Sequence, residues 1–170
     1  MKPLNSKFMM PPKRGMIVKE EILLRPSHYY YRFAHSMVRG VRQTRDQIVG
    51  GAWWMDVDVF NTIRHRALRS ESHLGSTARQ DLAIARRWDG KVDIVVRAFV
   101  NGPIAGFRGI GTIQSFESAL DEDQSVWIPY PGASQIYVPG LLEKDPSTGK
   151  LIYTLALSRV EQTKIGWDPS

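Results

Sequence analysis

A chain of 170 residues with 42% hydrophobic and 24% charged residues lies in the size range of one domain able to bury its own core, and outside the profile of a disordered chain. It has no cysteine, which excludes disulfides, thiolate zinc sites and a nucleophilic thiol and leaves any chemistry to arginine, hydroxyl, amide and carboxylate groups. Its 23 Lys and Arg against 17 Asp and Glu give a net charge of +6 and a pI near 9.7, which favours nucleotides, nucleic acids and acidic proteins as partners over polycations.

Residues 1–16 combine Met- and Pro-rich stretches with Lys2, Lys7, Lys13 and Arg14, a composition that predicts a basic flexible arm ahead of a single domain over 17–170. The stretch MKPLNSKFMMPPKRG holds no signal-peptide core, and no apolar run approaches the ~18 residues a bilayer crossing needs. The expectation is therefore no membrane span, and a cytoplasmic location where the chain is made.

The aromatic run HYYYRF (28–33), following Pro26, reads as the first core strand. Between Ser36 and Gly50, Arg39, Arg42 and Arg45 recur at spacing three and would share one helical face. Gly50 and Gly51 punctuate the chain before Trp53 and Trp54, which read as a short strand. Asp56 or Asp58 then caps a helix whose stripe is Val59, Ile63 and Ala67 or Arg66. A second helix takes Ser76 as N-cap, with Gln80 as the reciprocal partner, and continues through Ala78, Leu82, Ala85 and Arg86 toward Trp88, before a turn at Asp89-Gly90. From Lys91 onward the alternating segments VDIVVRAFV, PIAGFRGIG, SQIYVPG and LIYTLALSRV predict a mainly antiparallel sheet, hence an α+β fold. An acidic loop carrying Glu117, Asp121, Glu122 and Asp123 reverses the sign of an otherwise basic chain.

Several constellations are set aside on spacing. The four histidines, His28, His35, His65 and His73, show no HExxH or other convergent pair, so no metal is expected. Gly106, Gly109 and Gly111 lack the lysine and helix start of a P-loop and read as a turn between strands. GASQ (132–135) lacks the second glycine of a serine-nucleophile elbow. Basic residues interleaved with aromatics in HYYYRF and WDGKVDIVVR keep nucleic-acid binding open, although aromatics on strands are more often core.

The distributed pattern points further: an Arg on an aromatic strand, a Gly-Ala-Trp-Trp turn, a Ser-Thr pair at a helix start, then Pro-Gly-x-x-Gln-x-Tyr on a late strand. In its order it resembles the ADP-ribosyltransferase-like superfamily, particularly small bacterial toxin and effector members that include NAD glycohydrolases of the tuberculosis necrotizing toxin type. The likeness is carried mostly by 78–135, about a third of the chain. It implies an N-terminal strand and short helices on a split, mainly antiparallel sheet, with NAD as substrate and no metal. Arg32 would contact the phosphates, and Ser76 with Thr77 would form the middle Ser/Thr motif, Ser76 orienting the substrate and Thr77 contacting NAD. Gln135 would face the nicotinamide ribose, and Trp53, Trp54 or Tyr137 would stack the ring. A macromolecular acceptor, protein or nucleic acid, a cognate immunity protein and delivery into another cell by a dedicated secretion system belong to the same implication.

The sequence departs from the transferase pattern where a Glu-x-Glu or Gln-x-Glu is usual, reading Gln135-Ile136-Tyr137. Three outcomes stay open: hydrolysis of NAD instead of transfer, an acid borrowed from the loop at Glu117, or an inactive binder. Beside the enzyme reading stand a basic nucleic-acid-binding accessory protein and a non-catalytic interaction or inhibitor module.

Overall fold

The computed structural model describes residues 1–82, 84, 91–112 and 128–166. Its first strand, β1 (Met16–Leu23), precedes the aromatic strand expected to come first, which is β2 (Tyr29–Ala34). Then follow the short strands β3 (Met37–Val38) and β4 (Val41–Arg42), helix α1 (Arg45–Val49), β5 (Trp53–Asp56), α2 (Val57–Arg69) and α3 (Leu74–Asp81). The remainder is β6 (Ile94–Val100), β7 (Ala105–Gly111), β8 (Ser134–Tyr137), α4 (Ile152–Ala156) and β9 (Leu157–Lys164). Seven strands form one sheet in the order β1-β7-β8-β5-β2-β6-β9, each neighbouring pair antiparallel, so the fold is α+β with a mainly antiparallel sheet.

β5 joins the two halves of this sheet. Its first two residues, Trp53 and Trp54, pair with Tyr137 and Ile136 of β8, while Asp56 and Met55 pair with Tyr30 and Tyr31 of β2. Such a handover opens the sheet on one side of the crossing, since β2 and β8 each use a different end of the same strand. The period of two along the strands divides the apolar residues between two cores. Trp54, Tyr30, Val96, Ile104 and Ile136 bury on one face. Met55, Phe33 and Val95 bury on the other, under Val59 and Ile63 of α2 and Ala78 of α3. Each such side chain contributes about 1.5–3 kcal/mol on leaving water.

The structure decides between the alternatives for α2: Asp56, not Asp58, caps the helix through a bond from the Val59 N–H (3.0 Å), and Val59, Ile63 and Ala67 are buried while Arg66 is exposed. Three other local expectations are corrected. Arg39, Arg42 and Arg45 do not share a helical face. Arg39 (φ 48°) and Gly40 (φ 78°) form the tip of the β3–β4 hairpin, and the helix begins only at Arg45, behind a Thr44–Gln47 capping box. A two-residue turn with positive φ at both positions suits the right-handed twist of the flanking strands, and glycine at its second position makes it cheap. In α3 the N-cap is His73, one turn earlier than expected, so Ser76 lies inside the helix; the helix ends at Asp81, and the continuation expected toward Trp88 lies largely outside the described residues. Segment 151–160 is not one strand, because Ile152–Ala156 is helical and the strand starts at Leu157.

The glycines at 106 and 109 are not a turn but the middle of β7. A Cβ at Gly109 would lie 2.1 Å from the Ile17 carbonyl oxygen of β1, and one at Gly106 would lie 2.8 Å from the Tyr137 carbonyl of β8. Close approach of two flanking backbones requires glycine there.

The N-terminal segment is also corrected. Asn5 is 0% exposed; its amide nitrogen donates to the Ala105 carbonyl (2.8 Å) and the Pro139 carbonyl (2.9 Å), while its side-chain oxygen accepts from the Ala105 N–H (3.0 Å). With Leu4 and Phe8 packed against the first core, residues 4–8 form a clamp across the β7 and β8 ends, where a free arm was expected. A fully satisfied buried amide fixes a segment that Pro and Met content alone would leave loose.

Candidate functional site

A cleft of about 990 Å³ opens where β8, β5 and β2 lie side by side, at the upper end of the roughly 300–1,000 Å³ usual for small-molecule sites. The strand order itself assembles it: Arg32 comes from β2, Trp53 and Trp54 from β5, and Gln135 and Tyr137 from β8. Five residues singled out from the sequence therefore line one cavity. Its cations are Lys13, Arg14 and Arg32, with His35 beside them, and among the described residues no carboxylate lines it.

The Arg32 guanidinium lies directly over Gly51: a Cβ at that glycine would sit 1.5 Å from Nη1. Its Cζ is 6.0 Å from the Trp54 ring centroid. Gly51 thus creates the berth for the arginine, and the Trp54 indole sets its floor, held by donation from Nε1 to the Gly51 carbonyl (2.7 Å). The Gly50-Gly51 pair is visible in the sequence as punctuation. What that pair accommodates is visible only in three dimensions.

The two tryptophans separate in role. Trp54 is 2% exposed and belongs to the core, whereas Trp53 is half-buried and meets Tyr137 at 5.0 Å between ring centroids and 58° between planes. Trp53 and Tyr137 are the aromatic surface that a planar ring can meet; Trp54 is their support.

Gln135 is 6% exposed, and its amide nitrogen donates to the Leu82 carbonyl at 3.1 Å. Leu82 directly follows α3, and the preceding Asp81 is bound in its own cluster. Asp81 accepts from Arg66 Nε (2.9 Å), Arg66 stacks over the Tyr130 ring (3.8 Å), and the Tyr130 N–H donates to the Asp81 carbonyl (3.0 Å). The end of α3 is thereby tied at two points to the segment that leads into and forms β8. Burial raises the Asp81 carboxyl above its ordinary value against the opposing pull of Arg66, while the Arg66 guanidinium is itself raised, chiefly by its bond to Asp81. These two shifts rank the pair differently. The Asp81 side chain is 3% exposed and that of Arg66 43%, so the desolvation of the carboxylate is the weightier effect.

Ser76 and Thr77 do not line the cleft. They lie on α3, with Thr77 buried and its hydroxyl donating to the His73 carbonyl (3.3 Å), a helix-internal bond. Ala52–Met55 line the cleft instead, because β5 and not the start of α3 runs between β2 and β8. Glu117 lies outside the described residues. The sequence reading missed Lys13 and Arg14 as cleft residues: their charge was evident, but β1 brings them to the mouth only by pairing with β7.

Among the described residues no three His, Asp or Glu gather as a metal site, and no helix is long and apolar enough to cross a membrane. No family model matches this chain, and no curated protein or solved structure matches it either.

Proposed function

We propose that the cleft binds NAD and that the domain, of ADP-ribosyltransferase-like type, cleaves the bond between nicotinamide and ribose. The observation that carries this reading is the convergence of Arg32, Trp53, Gln135 and Tyr137, from three adjacent strands, on one cleft whose described lining contains cations and no carboxylate. A dianionic pyrophosphate suits such a lining, and a planar guanidinium binds it bidentately where a lysine acts as a point charge. Trp53 and Tyr137 offer a face to the nicotinamide, and the Gln135 side-chain oxygen accepts from a ribose hydroxyl while its nitrogen stays on Leu82.

In the reaction the C1′–N bond breaks, nicotinamide leaves with the bonding pair, and positive charge develops on the ribose. An oxygen or nitrogen nucleophile closes on C1′ and gives up its proton to solvent. Water yields ADP-ribose; a hydroxyl or amine of an acceptor yields a modified macromolecule. Gln135-Ile136-Tyr137 supplies no carboxylate to activate a macromolecular acceptor, which favours hydrolysis.

The test is to incubate the full chain with NAD, with and without host lysate, and follow nicotinamide release and label transfer. Release without transfer supports hydrolysis; transfer selects the transferase. NAD binding without release establishes an inactive binder, and neither binding nor release overturns the reading.

A further inference from the structure

Beside the cleft stands a basic hairpin that the NAD reading does not use. The β3–β4 hairpin borders the cleft through Val38, and Gln43 next to β4 borders it too. Its base is closed by the Gln43 N–H donating to the Ser36 carbonyl (2.9 Å), and its tip is open, since a Cβ on Gly40 would meet nothing within 4 Å. Arg39 at the tip, Arg42 on β4 and Arg45 at the start of α1 are all exposed. Lys13 and Arg14, also exposed, reach the same cleft from the segment before β1.

The nearby carboxylates are engaged by hydroxyls. Asp93 accepts from the Ser36 N–H (2.8 Å) and the Ser36 hydroxyl, and Asp46 accepts from the Tyr153 hydroxyl. Lys13 and Arg14 thus line the mouth, the hairpin that borders it carries Arg39 and Arg42, the helix after it starts at Arg45, and two carboxylates nearby are bound by Ser36 and Tyr153.

We infer that this rim of hairpin and mouth binds the phosphate backbone of a single-stranded nucleic acid. Backbone recognition asks for Lys and Arg spaced along a track in excess over its carboxylates, and here five cations stand against Asp46 and Asp93. A single strand is favoured over a duplex because the adjoining wall offers the Trp53–Tyr137 aromatic pair, on which an unstacked base can lie and which the bases of a duplex cannot reach. The inference goes beyond the NAD reading and does not need it, since the backbone binds whether or not NAD is cleaved.

The test is anisotropy of a short labelled mixed-sequence DNA or RNA strand with the full chain, in the absence of NAD, over a salt titration. Each phosphate contact contributes ~0.7 to the slope of log affinity against log salt. The R39A/R42A pair should therefore flatten the slope by about 1.4 and weaken binding roughly tenfold at low salt. K13A/R14A should do the same, and R42E more. R64A/R69A, on the exposed face of α2, should change binding less than about twofold. Unfolding midpoints unchanged from wild type show that the exposed substitutions leave the fold intact; if a hairpin variant unfolds, K13A/R14A decides.

Equal losses in the rim and α2 variants, absence of binding, or a salt-independent affinity would overturn the inference. So would polyglutamate binding as tightly as the strand with the same dependence on the rim, which assigns an acidic protein instead. A chain that cleaves NAD and ignores the strand removes this inference alone; one that binds the strand without cleaving NAD removes only the enzyme reading.

Discussion

Two arginine–aromatic arrangements lie on neighbouring strands, and they differ in what stands opposite the arginine. On the β2–β6–β9 side, Arg97 stacks over Tyr29 (4.3 Å) and pairs with Glu161 (2.9 Å), Tyr29 meets Phe99 edge-on (5.1 Å), and Arg159 covers Phe99 (4.9 Å). In the cleft, Arg32 lies above Gly51 and Trp54. Register decides the difference: Arg97 sits opposite Glu161 of β9, while Arg32 sits opposite Val96 of β6 and turns toward the cleft. The same residue types make a self-contained surface ladder in one place and a lined cavity in the other. A composition rich in Arg, Tyr and Trp is therefore ambiguous until the cross-strand partners are known.

The cleft side of the comparison breaks most severely at Trp54, its floor. Trp54→Ala should cost about 3–5 kcal/mol of stability, read as a drop in the urea midpoint, because it empties a fully packed core site. Next come the two arginines themselves. Arg32→Ala should lower nicotinamide release by about a hundredfold in kcat/KM, the loss of a charge-assisted bidentate contact of roughly 2–3 kcal/mol. Arg97→Ala should leave release within about twofold, since an exposed ion pair away from the cleft contributes little. Comparable losses in both would remove the distinction drawn between them.

Gly51→Ala sharpens the same contrast without touching a functional group. Its Cβ would occupy the position of the guanidinium, so release should fall about tenfold or more through a misplaced Arg32, while thermal unfolding of the chain shifts little. Trp53→Ala should raise KM about three- to tenfold, the worth of one aromatic contact, with a much smaller stability loss than Trp54→Ala.

The smallest expected effect is a pH dependence that the cleft shares with the end of α3. Asp81 has a folded-state pKa raised above its ordinary 3.8 by burial, so the native state holds this proton more tightly than the unfolded chain. The stability it contributes is fully present below 3.8 and is lost as pH rises through the folded value. Asp81→Asn should remove that step from an unfolding-versus-pH profile. Persistence of the step in the variant would assign it to another carboxyl.

Local chemistry carried much of the fold. The Asp56 cap with Val59, Ile63 and Ala67 is a helix signal within one window, and the short, β-branched apolar run at 94–100 marks a strand locally. The glycines of β7 misled for a physical reason: glycine punctuates turns, but it also serves strands whose neighbours approach too closely for a Cβ, and only the β1 and β8 backbones distinguish the two. The spacing of Arg39, Arg42 and Arg45 misled because three residues is also the distance across a hairpin tip. Asn5 was unreadable, since its partners at Ala105 and Pro139 lie 100 and 134 residues away.

The sequence by itself determined that this chain has no thiol chemistry and carries an excess of cations, because residue identity needs no partner to be read, while Arg32, Trp53, Gln135 and Tyr137 are candidates for a site through the family resemblance alone. Tertiary structure alone decided that these four share a cleft, that Trp54 supports it from below, and that Ser76 and Thr77 stand outside it. The reason is the handover at β5, where Trp53 and Trp54 pair with β8 while Met55 and Asp56 pair with β2. That pairing is long-range in sequence, and it sets which side chains face one another.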